Sequence, residues 1–116
     1  MEIQRLDPHG TVSRCVVHNH VAYFTGHSAK PGYQTLREQT AAVLKRYEEI
    51  FEEFHFKREN IFMVNIYLSD ISMADEFEEV WQPWIGTATP PAGVCVQAQL
   101  AGENNLLELA LMVAVD

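Results

Sequence analysis

Only two stretches of this chain carry helical periodicity, and that limits how the rest can be arranged. From about Tyr33 to Phe54, the residues Leu36, Val43, Leu44, Tyr47, Ile50, Phe51 and Phe54 recur at threes and fours. Arg37, Glu38, Lys45, Arg46, Glu48, Glu49 and Glu52 mostly fall between them. The spacing predicts an amphipathic helix of about six turns. A second, shorter helix starts at Ser72, read as its cap, with Asp75 in the first turn. It continues through Phe77, Val80, Trp81 and Trp84 to Ile85, where Pro83 and Gly86 mark its end. At this spacing the two tryptophans read as core residues rather than a cofactor platform.

The remaining segments alternate. Met1–Leu6 reads as a short edge strand, Asp7-Pro8-His9-Gly10 as a turn, and Arg14–His18 and His20–Gly26 as two strands joined tightly at Asn19. In Ile61–Ser69, one face is Phe62, Val64, Ile66 and Leu68, and the other is Ile61, Met63, Asn65 and Tyr67. After Pro90-Pro91, the side chains of Val94, Val96, Ala98 and Leu100 should point to the core, and those of Gly93, Cys95, Gln97 and Gln99 away from it. That strand and Asn105–Val115 are expected to form a long hairpin about Gly102, with Gln97 opposite Glu108 and Cys95 opposite Ala110. The order is thus three strands, helix, strand, helix and two strands. Two helices cannot cover both faces of such a sheet, so they pack on one, over Phe62, Val64, Ile66, Leu107, Leu109, Leu111 and Val113. The fold class is α+β, a sheet of about six strands with two helices on one face.

The face left bare would carry Cys95, Gln97 and Gln99 with Leu106, Glu108, Ala110 and Met112, and Met63, Asn65 and Tyr67. It is too apolar for a plain solvent surface, which points to self-association. Glu108, if buried there, is a candidate acid or base; the plainer reading is a partly solvated carboxylate bonded to Gln97 or to backbone amides.

Length and composition set the outer bounds. With 116 residues the chain suits one domain, residues 1–116. The formal net charge of −8 and eight scattered Lys and Arg argue against a nucleic-acid partner. No apolar run reaches the length of a membrane span, and the N-terminus lacks the pattern of a signal peptide, so the expected location is cytoplasmic. Cys15 and Cys95 are expected to be free thiols. No Lys or Arg adjoins Cys95, which therefore reads as a packed thiol and not a nucleophile. His18 and His20, even with His9 and His27, do not make a persuasive metal set, so no metal and no cofactor are expected.

Several of these pieces occur in the order of a known family. Tyr23-Phe24-Thr25-Gly26, Gln39-Thr40, Asn65-Ile66-Tyr67-Leu68-Ser69-Asp70, Phe77 with Trp81, Pro91-Ala92, Cys95-Val96 and Leu107-Glu108-Leu109 together resemble the RidA/YjgF (L-PSP) family of reactive-intermediate deaminases. The resemblance runs the length of the chain. It implies a chorismate-mutase-like fold and a homotrimer with its sheets in a central barrel. Small-molecule ligands would occupy the intersubunit clefts. Active relatives hydrolyse enamines and imines to keto acids and ammonia. By this resemblance Glu108 positions the attacking water, and Cys95 and the Thr25-Gly26 backbone line the cleft beside Gln97.

The chain also departs from the family pattern. An arginine that clamps the substrate carboxylate in relatives is replaced by Gly93, Val12 stands where many relatives carry an aromatic residue, and Glu78 stands where many carry a pocket asparagine. Acidic 2-imino acids are therefore expected to be poor ligands and neutral or cationic ones better, unless Arg14 or Arg37 replaces the clamp. Two functions follow: a deaminase-type hydrolase with altered substrate choice, or a non-catalytic binding or regulatory trimer. The endoribonuclease or translation-inhibitor role attributed to some relatives is a distant third, given the charge.

Overall fold

The computed structural model describes all of residues 1–116. Six strands, β1 (Gln4–His9), β2 (Val12–His18), β3 (Val21–Phe24), β4 (Ile61–Leu68), β5 (Ala92–Gln97) and β6 (Leu107–Ala114), form one sheet in the order β1-β2-β3-β6-β4-β5. Two helices, α1 (Leu36–Phe54) and α2 (Ala74–Ile85), lie on one side of it. Their inward residues Leu36, Val43, Leu44, Tyr47, Ile50, Phe51, Phe77 and Trp81 meet Val64, Ile66, Leu68, Leu107, Leu109, Leu111 and Val113 in a single core. The expected element order and layering are both present.

Local chemistry explains most of the boundaries. Between β2 and β3, Asn19 and His20 both take positive φ (50° and 64°), the pair of values a two-residue type I′ turn requires. Helix α1 begins at Leu36 because Thr35 caps it. The Thr35 hydroxyl accepts from the Glu38 amide at 3.1 Å, and the Glu38 carboxylate accepts from the Thr35 amide at 3.2 Å, a reciprocal capping box. The cap before α2 is Asp70, not Ser72: its carboxylate accepts from the Ser72 amide at 2.9 Å and opens a short 3-10 turn, Ile71–Met73, that leads into the helix. The turn expected at Asp7–Gly10 is displaced as well. β1 continues through His9, and the chain reverses at Gly10-Thr11.

Two strand expectations are corrected by the sheet register. β5 does not form a hairpin with β6. It runs parallel to β4, which stands between them, so Tyr67 pairs with Glu108 on one side and Val96 on the other. Gln97 and Cys95 are therefore not opposite Glu108 and Ala110. Side chains paired across a sheet share a face. Cys95 is level with Ile66 and Leu109, and Gln97 with Leu68 and Leu107, on the helix side. Val94 and Val96 lie with Asn65, Tyr67, Ala110 and Glu108 on the bare side, where Val94 and Val96 are exposed. The second correction is Phe62. A register shift between Ile61 and Met63 turns Ile61 into the core and leaves Phe62 exposed.

Candidate functional site

The segment after β3 explains how Glu108 is held. His27 is buried, and its backbone exchanges two hydrogen bonds with Leu109 of β6, at 2.8 and 3.0 Å. Its ring bonds the Thr25 carbonyl through Nδ1 at 2.9 Å, and the Tyr47 hydroxyl lies 3.2 Å from the same nitrogen while donating to Leu109 O at 2.7 Å. With His27 turned inward, its neighbours Gly26 and Ser28 are placed against Glu108. The Ser28 hydroxyl donates to Glu108 Oε1 at 3.3 Å. Oε2 lies directly over Gly26, in the space a Cβ would occupy. Glu108 is half-buried and belongs to no ion pair.

Cys95, Gln97 and Gly93 belong to a second cluster, on the helix side of the edge strand β5. The Gln97 side chain accepts from the Ile71 amide at 3.0 Å, which ties β5 to the entry of α2. Cys95 is exposed; partial burial and then the nearby Glu78 carboxylate both push its thiol upward, away from the nucleophilic thiolate. Gly93 pairs with Val64, and a Cβ at this position would stand 2.7 Å from Val64 Cγ1 and 2.9 Å from its carbonyl oxygen. The missing arginine is thus more than a lost charge, since a side chain here would force the strand or Val64 to shift. Arg14 is paired with Asp7 at 3.2 Å, and Arg37 with Glu76 and Glu79 on α2. Each candidate replacement for the clamp already has an acidic partner.

The residues singled out by sequence therefore fall into two groups. Thr25, Gly26 and Glu108 meet at one end of the sheet, whereas Gly93, Cys95, Gln97 and Glu78 gather at the β5 edge on the opposite face. Val12 is exposed on β2. Sequence reasoning missed Ser28, and it missed Asn105, which donates to the Ser28 hydroxyl at 3.2 Å. It also missed the task of Gln39, whose buried amide bonds Tyr33 O, Asn104 O and the Leu106 amide and so joins two loops. The only signal for Ser28 and Asn105 was polar residues crowding the loops on either side of the Glu108 strand end, whereas Gln39, in α1, stood out only as part of the family resemblance. No group of three or more His, Cys, Asp or Glu side chains could hold a metal ion. No helix is long and apolar enough to cross a membrane.

A six-stranded mixed sheet with two helices on one face, and a carboxylate at the end of its bare face, defines an α+β protein of the chorismate-mutase-like type. The family model for endoribonuclease L-PSP matches residues 2–115, and the chain belongs to that family, also known as RutC, YjgF or RidA. A RutC family protein of Haemophilus influenzae is 28% identical over 113 residues, covering 97% of each chain. The RutC family protein YoaB of Escherichia coli is 27% identical over 115 residues, covering 99% of this chain and all of YoaB. A crystal structure of a YjgF family member from Neisseria meningitidis superposes with a TM-score of 0.92 at 27% identity, covering 100% of this chain and 97% of that one.

Proposed function

We propose that this protein is an imine hydrolase whose site is completed between copies of the chain, and that it prefers neutral or cationic imines to 2-imino acids. The observation that carries this reading is Glu108, a half-buried carboxylate with one oxygen bonded to Ser28, the other over Gly26, and no cation paired to it. Such a group is available to a water molecule. The cleft is shared because the β5 cluster lies on the opposite face of the same sheet, so Cys95, Gln97 and Glu78 would be contributed by a neighbouring copy. The exposed apolar side chains Tyr23, Val94 and Val96 on the bare face support the same assembly, since a patch of this kind favours association.

In the reaction, water adds to the imine carbon while Glu108 accepts its proton. Glu108 passes that proton to the nitrogen to give the carbinolamine, then carries the hydroxyl proton to the same nitrogen, so that the C–N bond breaks and ammonia leaves as the carbonyl forms. One water is consumed and no oxidant is needed. Substrate choice follows from charge. Gly93 leaves no guanidinium for a substrate carboxylate, and Glu78 adds a negative charge near Cys95. Deleting the cationic partner of a buried anion costs about 2–5 kcal/mol of binding.

Ammonia release decides the matter. It is measured on a short-lived 2-imino acid and on a carboxylate-free ketimine of the same chain length. The proposal expects faster turnover of the ketimine, and a loss of roughly a hundredfold or more in Glu108→Ala. Background rates on both substrates would refute it. Specific ligand binding without turnover would instead support the second reading, a non-catalytic binding protein, which the close Gly93–Val64 approach favours because a side chain there would press on the Val64 backbone. The ribonuclease named in the family model has little support in a chain of net charge −8 whose eight Lys and Arg are scattered along the sequence.

A further inference from the structure

Glu108 is the end of a chain of side-chain hydrogen bonds that starts in a different loop. Asn105, in the loop that leads into β6, donates from its amide to the Ser28 hydroxyl at 3.2 Å and to the Ala101 carbonyl at 3.0 Å. Ser28, just past the His27–Leu109 bridge, passes its own proton toward Glu108 Oε1 at 3.3 Å. A serine hydroxyl has one hydrogen to give. With the Asn105 amide occupying a lone pair of the oxygen, that hydrogen is left to point at the carboxylate. The two Glu108 oxygens are thereby made unequal: Oε1 is anchored by Ser28, and Oε2 lies over Gly26, where the lack of a side chain leaves room for it. The Asn105 loop is itself fixed from below by Gln39, which accepts from the Leu106 amide at 2.9 Å and donates to Asn104 O at 2.8 Å.

We infer that Ser28 and Asn105 are positioning residues for Glu108, holding Oε1 so that Oε2 alone meets the attacking water. The inference rests on the imine-hydrolase reading for its consequence in turnover, but not for its geometry. A carboxylate freed at Oε1 can rotate about its terminal torsion, which is soft and roughly two-fold. Misplacing a reacting group by about 1 Å can cost on the order of a hundredfold in rate.

The test uses the full-length protein and the variants Ser28→Ala, Ser28→Thr and Asn105→Ala. Two quantities are read: kcat and KM on the carboxylate-free ketimine, and the side-chain mobility of Glu108 from carbon-13 relaxation. Ser28 is exposed, so its variants are expected to fold. In Ser28→Ala, kcat should fall roughly ten- to a hundredfold with KM within about twofold, and Glu108 should become more mobile. Ser28→Thr, which restores a hydroxyl, should recover both, and Asn105→Ala should show a smaller loss of the same kind. Unchanged Glu108 mobility in Ser28→Ala overturns the inference, as does failure of Ser28→Thr to recover it. If the wild-type chain hydrolyses no imine, the hydrolase reading falls and the relaxation data alone decide whether Ser28 positions the acid.

Discussion

His27 places two outward residues by being buried itself, and it brings a titration into the core. Burial lowers its pKa from the ordinary 6.5, and the charges of Arg14 and Arg46 lower it further against the opposing Thr25 carbonyl and Asp7. Nε2 has no partner, so the ring sits neutral with its proton on Nδ1. The unfolded chain takes up this proton at higher pH than the folded one. Stability is therefore whole above pH 6.5, is lost as pH falls below 6.5, and stops changing on this account once pH passes below the folded value. His27→Gln should flatten that slope in urea-unfolding midpoints measured from pH 5 to 8. At Gly93, even Gly93→Ala should destabilise by about 1–3 kcal/mol, because a Cβ would push against the Val64 backbone. Gly93→Arg should consequently fail to create tight binding of pyruvate in a titration.

At the scale of elements, the helices were legible because period and caps reinforce one another. The α1 apolar stripe named every buried apolar residue of that helix. The helix starts at Leu36 rather than at Tyr33 because the Thr35-x-x-Glu38 capping box fixes its first turn there. Thr35→Ala should cost about 1 kcal/mol in thermal or urea unfolding. The strands were legible as strands, but their partners were not. Alternation gives two faces and does not say which one is covered. In β5 the apolar set, Val94 and Val96, was assigned to the core because burial inside one chain is the usual fate of such residues. On this edge strand it faces the side without helices. The short turn Ala101–Asn104 suggested a hairpin, yet β4 lies between the two strands it joins. Likewise, nothing in the sequence signals the bulge that turns Phe62 outward. Of the candidate site, Glu108 came from strand alternation and the uncovered face and again from the resemblance, Gly26 came from the resemblance, and Ser28 and Asn105 needed the loops in place.

For the whole molecule, the question is what covers the bare face. Tyr23, Val94 and Val96 are exposed there, beside the partly exposed Met63, Asn65, Tyr67, Ala110 and Met112. At about 25 cal/mol per Å² of apolar surface removed from water, covering such a face is a large driving force for association. A charge placed in its middle, Ala110→Glu, should dissociate the assembly with little effect on the fold of each chain, read as a drop in mass at unchanged far-ultraviolet circular dichroism. If the cleft is shared as proposed, the same substitution should abolish turnover. Sedimentation equilibrium of the unmodified protein at micromolar concentration tests this account most directly. The account predicts a particle of three chains, each of 13.2 kDa. A mass of 13.2 kDa that persists up to high concentration would contradict it.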